Sequence, residues 1–379
     1  MLFPALMAFM YGCIYPYDFD VSGSQNSLVI NGRVTDTEGY QYINISRSVS
    51  LNNPSEKSPI SGCTVSIMDD KGNVFPAEEK DPGQYASWIS AEYLTIGTRF
   101  NLNVTLPDGK NYISEYDELL ACPPIDDVSW ELEEMLTQDP DISYQGYRFN
   151  VSTDGYGDYA KNFRWELEES WEYHSTYMIR VYFDSIIQVL DHYSDSLYFC
   201  WNSAAIPEIY TYSTRNLSSG KINKFPLHFV SDQTDRLSVK YSLLIRQFSL
   251  SATAYDYWNI LDGQSKQSGE LYETQPANLT GNIHSIDNEE ETIVGLFYAS
   301  SIQEKRIFVR PSIITVEPNC FGYNLTSSQL MTLLVEEFSE EDYPIWLLEA
   351  DHGGLDFADQ RCFDCRRRGG TLVKPYYWE

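Results

Sequence analysis

Phe100-Asn101-Leu102-Asn103-Val104-Thr105-Leu106 runs directly into Pro107-Asp108-Gly109-Lys110. Apolar side chains at every second position set one face of an extended strand against a core, and the Pro-Asp-Gly-Lys that follows turns the chain back. The same grammar recurs upstream. Cys63-Thr64-Val65-Ser66-Ile67 alternates and meets the turn Asp69-Asp70-Lys71-Gly72-Asn73, and Asp81-Pro82-Gly83 marks another reversal. Leu28-Val29-Ile30-Asn31-Gly32-Arg33-Val34 reads as a strand, Asp36-Thr37-Glu38-Gly39 as a turn, and Tyr42, Ile43 and Ile45 as a second strand. Short strands punctuated this often predict a β-sandwich over residues 27–121. The Asp-rich turns lack the alternating acids and terminal Glu of a helix-loop-helix calcium site, so they read as hairpins.

Cys122-Pro123-Pro124-Ile125-Asp126 interrupts the pattern and is the expected domain boundary. A second β-sandwich is predicted over 122–345, richer in aromatics, with strands at 163–167, 178–183 and 237–248. In the last of these Val239, Tyr241, Leu243 and Ile245 share a face. After it the period changes. Ser251 caps an expected helix near 251–265, in which Tyr255, Trp258 and Leu261 recur on one side before Gly263. Ser327 to Phe338 is a second helical candidate. Residues 346–379 read as a Cys-containing tail.

The chain carries 26 basic and 55 acidic residues, a net charge of −29. That sign repels phosphate backbones and argues against a nucleic-acid partner. The apolar run Leu2–Tyr11 is far short of the ~20 residues needed to span a bilayer, but it fits the apolar part of a secretory signal. It ends in Gly12-Cys13, where a bacterial lipoprotein would be cleaved and acylated, with a palmitate-type lipid on Cys13. Tyr11 is bulkier than usual there, and no Lys or Arg precedes the run, so the natural start is expected upstream. Residues 1–13 are thus a signal-like segment and 14–26 a polar tether, in which Asp18 and Asp20 resemble a surface-export signal. Six Asn-x-Ser/Thr sequons, beginning at Asn44, Asn103, Asn150, Asn216, Asn278 and Asn324, would fit a eukaryotic secreted glycoprotein, but a polar chain yields several by chance and the Cys13 context favours a bacterial origin.

In an exported chain the other six cysteines, Cys63, Cys122, Cys200, Cys320, Cys362 and Cys365, are disulfide candidates, and their spacing cannot choose among the pairings. Zinc held by Cys362, Cys365 and His352 would want a second cysteine pair at similar spacing, so no metal site is expected. The five histidines are scattered, and no catalytic or nucleotide-binding motif is present, so neither catalytic residues nor a cofactor are expected. Trp165, Trp171, Tyr173 and Tyr177 form the candidate ligand-binding platform. The competing reading is that strand alternation buries them.

Several ordered segments resemble one family, the Bacteroidota outer-membrane lipoproteins grouped as domain of unknown function 4249. They are Leu28–Asp36, Gly62–Ile67, Pro123–Asp126, Arg246–Ser251 with Tyr255-x-Tyr257-Trp258, Gly269–Tyr272, Pro276, Leu279-x-Gly281-Asn282-Ile283, Val294–Ser300 and Cys362–Trp378. Leu296-Phe297 departs from the Gly-aromatic pair expected there. The resemblance implies an N-terminal prealbumin-like, Ig-like sandwich. It also implies a surface-exposed lipoprotein on the outer membrane, facing the cell exterior, that serves a TonB-dependent receptor barrel as a non-enzymatic nutrient-uptake subunit. The alternatives are a stand-alone carbohydrate- or peptide-binding lipoprotein, or an extracellular subunit of an outer-membrane protein assembly complex. The expected fold is mainly β, two sandwiches with a short helical insertion.

Overall fold

A computed structural model describes residues 27–48, 58–136, 143–267, 281–288, 290–313, 320–350 and 353–378. Cys13, the tether, His352 and Asn278 lie outside them. The fold is mainly β, with several sheets and two α-helices among the described residues. No helix among these residues is long and apolar enough to cross a membrane.

The alternation at 100–106 does what it predicts. Phe100, Leu102, Val104 and Leu106 are buried, and Val65 and Ile67 lie opposite Val104 and Leu102 on the neighbouring strand. The Asp69 turn is a hairpin: its carboxylate accepts the backbone N–H groups of Lys71 (3.0 Å) and Asn73 (2.8 Å), which consumes it locally. At Gly83, in the left-handed region at φ +72°, a Cβ would sit 2.6 Å from the Ile45 carbonyl oxygen, so only glycine fits.

This first unit does not end at residue 121. Its sheet runs from Ile283–Ser285 through the N-terminal strands to Leu28–Thr35 and then Ile293–Val294, so one late segment borders both ends. Phe297–Ser300 also pairs in parallel with Leu28–Thr35. Ile283, Ile293, Phe297 and Ala299 join the same core as Ile30 and Leu102. The expected 27–121 boundary is therefore corrected: residues 283–300 close the N-terminal sandwich.

The second sandwich packs the sheet of Ile125–Leu136, Ser143–Asp154 and Lys221–Ser231 on that of Phe199–Ser213, Asn162–His174, Lys240–Leu250 and Ile302–Val309. Phe149, Val151, Trp165, Leu167 and Tyr241 fill the space between. Helix α1, Ala252–Gln267, stands where it is expected. The Ser251 hydroxyl accepts the Ala254 N–H at 3.1 Å as its cap. A third, smaller unit departs from the two-sandwich expectation. Ile186–Ser194, Ile179–Asp184, Ile345–Glu349 and Leu355–Phe357 form a four-stranded sheet, covered by α2, Ser327–Glu336. Its core is Val181, Phe183, Leu330, Leu334, Ile345 and Leu347. The boundary drawn after 345 cuts one of its strands.

The two sandwiches are joined by polar clamps. Gln247 donates to the Pro123 carbonyl (2.8 Å), Ser249 and Ser301 to that of Leu120 (2.7 and 2.6 Å), and the Ile302 N–H to Asp36 (3.0 Å). Asp117, 5% exposed, belongs to this seam and accepts the Ala299 N–H at 2.8 Å. Burial pushes its carboxyl up to about 6 from an ordinary 3.8, against the lowering by the Ser251 hydroxyl and that N–H. The folded chain then holds this proton to higher pH than the unfolded one. Stability from Asp117 is present below pH ~4 and lost as pH rises through ~6, a swing of up to roughly 3 kcal/mol. Asp117→Asn keeps an acceptor and is expected to flatten that part of the urea-midpoint profile; an unchanged slope between pH 4 and 7 contradicts it.

Candidate functional site

Between the two sandwiches and α1 lies a cleft of about 680 Å³. One wall is the outer face of Leu28–Thr35 and Gly39–Arg47. There the inward turn of Ile43 and Ile45 leaves Tyr40, Tyr42 and Asn44 pointing out. The opposite wall is the outer face of Asn162–His174 and Lys240–Leu250, where the inward Phe163, Trp165 and Leu167 leave Arg164 and Glu166 outward. Helix α1 adds Tyr257 and Trp258, and the 296–298 segment adds Leu296 and Tyr298.

The charged centre is an arginine–glutamate–arginine relay. Glu166 Oε1 accepts from Arg33 and from Arg164, both at 2.8 Å, so one carboxylate ties the N-terminal strand to the second sandwich. Burial alone would lift the Glu166 carboxyl, but Arg164 and then Arg33 hold it below the usual glutamate range. The guanidinium of Arg164 lies 3.6 Å from the Trp258 ring centroid, and that of Arg33 lies 4.6 Å from the Phe248 centroid. Arg246 bonds Glu304 at 2.7 Å and Glu168 at 3.4 Å. The rings and guanidinium planes are thus braced before any ligand arrives, which lowers the ordering cost of binding. Chemically the cleft offers ring faces, amides and paired charges to a bound molecule.

The aromatic platform expected from sequence lies elsewhere. Trp165 is 0% exposed and stacks on Phe225 inside the second sandwich. Tyr173 is 1% exposed and donates to the Cys365 carbonyl at 2.9 Å. Both are core, so the ligand role assigned to them is corrected: alternation points them inward. Trp171 is half-buried against the same core, and Tyr177 is half-buried with its hydroxyl on the Cys320 carbonyl. None of the four lines the cleft. Its own tyrosines were missed. The signal was available at Tyr40-x-Tyr42-x-Asn44, which must face outward once Ile43 and Ile45 face in.

The cysteines also sort. Cys200 bonds Cys365 and Cys320 bonds Cys362. Cys63 and Cys122 are free thiols, which corrects their place among the disulfide candidates: Cys122 is buried against Gln247, and burial pushes its thiol up to about 12. Cys362 and Cys365, three residues apart, each take a different remote partner, so neither is left for zinc.

The profile of the family described as Domain of unknown function (DUF4249) matches residues 14–306. The match takes in two strands of the third unit, Ile179–Asp184 and Ile186–Ser194, and ends before its other two strands, α2 and the Cys362–Trp378 segment. No curated protein matches the chain. Among solved structures the chain is similar to trypsin-activated alpha-2-macroglobulin from Escherichia coli. There the identity is 8% and the TM-score 0.20, over 61% of this chain and 15% of that one. It is also similar to a DUF4785 family protein from Legionella pneumophila, at 9% identity and TM-score 0.16, over 58% and 52%. The chain spans about one-seventh and about half of their lengths, and at these scores neither likeness bears on fold or function.

Proposed function

The chain belongs to the family described as domain of unknown function DUF4249, and from that premise we propose that it is a ligand-capturing, non-enzymatic lipoprotein. It is anchored through Cys13 at the outer membrane, faces the exterior, and serves a β-barrel of the TonB-dependent receptor type. One observation carries the binding part. Parts of the segments that bear the family resemblance (31–33 of Leu28–Asp36, 246 and 248 of Arg246–Ser251, Tyr257-Trp258, and 296 and 298 of Val294–Ser300) are up to some 265 residues apart and line a single cleft. The signal-like run ending in Cys13 and the polar tether support the anchor.

Cys13→Ser is expected to move the protein from the membrane to the soluble fraction, and a variant that stays with the membrane overturns the anchor. Affinity capture of the native lipoprotein from detergent-solubilised membranes is expected to bring down an outer-membrane barrel in near-stoichiometric amount. Capture without any barrel overturns the partner and leaves the stand-alone binder as the reading.

A further inference from the structure

We propose that the cleft and the strand face leading into it take a neutral, hydroxyl-rich chain, that is, an oligosaccharide. This inference rests on the cleft being the binding site. Charge comes first. Among the described residues each arginine of the cleft already contacts a carboxylate: Arg33 and Arg164 share Glu166, and Arg246 holds Glu304 and Glu168. An anionic ligand would have to compete with a partly buried glutamate for these guanidinium groups. Paired Arg and Glu groups are, by contrast, well suited to vicinal hydroxyls, which donate to one and accept from the other.

The apolar lining points the same way. Among the described residues it is chiefly aromatic, with Leu261, Leu296 and Ile302 its aliphatic side chains. A fatty or strongly apolar ligand would want the reverse ratio. Ring faces suit the C–H face of a sugar, which is apolar on one side and fringed by hydroxyls.

Extended peptide is disfavoured by topology. Leu28–Thr35, Gly39–Arg47, Asn162–His174 and Lys240–Leu250, which supply the arginines and exposed tyrosines, are each paired on both sides. They have no free edge to add a peptide strand, and the edge strand beside Lys240–Leu250, Ile302–Val309, reaches the cleft only at Ile302 and Glu304.

The outer face beyond the cleft then extends the site. Asn31 lies opposite Asn44, and Asn44 opposite Gln84, so three amides form a row across three strands. Beside that row Tyr40 lies opposite Trp88, with ring centroids 5.0 Å apart, and Tyr42 follows Tyr40 at 6.5 Å. These three rings are 47%, 53% and 48% exposed, an unusual concentration of aromatic surface outside any core. Amides and rings in adjoining rows present the two halves of sugar recognition, hydrogen bonds to the hydroxyl rim and stacking on the ring face, over more length than one monosaccharide.

Titration calorimetry of the full chain against neutral hexaoses (malto-, cello-, xylo-, manno- and chito-), uronate-containing oligosaccharides and apolar or basic hexapeptides tests this. One neutral series is expected to bind, with less than about twofold change in Kd between roughly 0.05 and 0.5 M NaCl, because no net charge is neutralised. Tyr42→Ala and Trp88→Ala remove exposed rings without touching a core, and each is expected to weaken binding about three- to tenfold. The inference is overturned if only the uronates or the peptides bind, if nothing in the panel binds, or if both variants bind neutral sugar as tightly as the native chain. Peptide binding abolished by Tyr42→Ala would overturn the ligand class while leaving the cleft as the binding site. Capture of a barrel, being independent of ligand, reports separately on the accessory role.

Discussion

Replacing Cys200 and Cys365 together by serine is expected to destabilise the folded chain by roughly 5 kcal/mol in the chain-entropy picture of a disulfide. The bond closes a loop of 165 residues. The second disulfide does not substitute for it. Cys362 lies three residues from Cys365, so with Cys320–Cys362 intact the loop reopened is shorter by about its 42 residues, and a logarithmic dependence hardly registers that difference. The bond also fastens a layer. Cys200 and Cys365 are 0% exposed and pack with Tyr173, over which Gly370 passes so closely that a Cβ there would lie 2.3 Å from the tyrosine oxygen. Beyond it Thr371 and Trp201 exchange backbone hydrogen bonds of 2.8 and 2.9 Å, and Trp378 donates to Glu172 at 2.9 Å. Without the bond these contacts must hold the C-terminal residues unaided. The urea midpoint is expected to fall steeply, and trypsin to cut after Arg366, Arg367 and Arg368 much faster than in the native chain. A midpoint unchanged within error, with the same tryptic pattern, would show that the tail is held by its packing alone.

That bond shows where sequence stops being legible. Period-two alternation assigns a face to a residue, so Phe100 to Leu106 and the 240s strand could be read directly, and so could α1 from its period and its Ser251 cap. Alternation says nothing about which strand lies alongside. Ile283, Ile293 and Phe297 look like ordinary strand residues late in the chain, and only the folded sheet shows them closing a sandwich begun at Leu28. The third unit escaped for the same reason, since its sheet pairs residues near 181 with residues near 347. Cysteine pairing is likewise a matter of proximity: Cys122 sits beside an amide instead of a thiol. The cleft is the hardest case, because its walls come from four segments whose outward residues are polar or aromatic and so carry no core signal.

Trp165 brings these strands of argument to a single test. Picked out in sequence as a candidate ligand contact, it is instead fully buried, stacked at 5.0 Å on Phe225 and 6.1 Å on Phe163, with its Nε1–H donated to Gln247 Oε1 at 3.0 Å. Trp165→Ala is expected to cost about 3–5 kcal/mol for the lost side chain and cavity. Gln247 would also lose a buried partner, about 1–3 kcal/mol more if nothing replaces it. Against a total stability of order 5–15 kcal/mol this leaves a marginal fold, so the decisive comparison is Trp165→Phe. That variant keeps most of the stacking, strands the same amide oxygen, and is expected to lose a smaller amount dominated by the hydrogen bond. Gln247 also donates to Pro123 in the linker, and its neighbours Arg246 and Phe248 face the cleft from the other side of the strand. Core damage at Trp165 is therefore expected to reach the cleft through that strand: ligand affinity falls in step with stability across the Ala and Phe variants. A surface contact would behave in the opposite way, losing affinity with the urea midpoint unmoved, and that pattern would return Trp165 to the binding face.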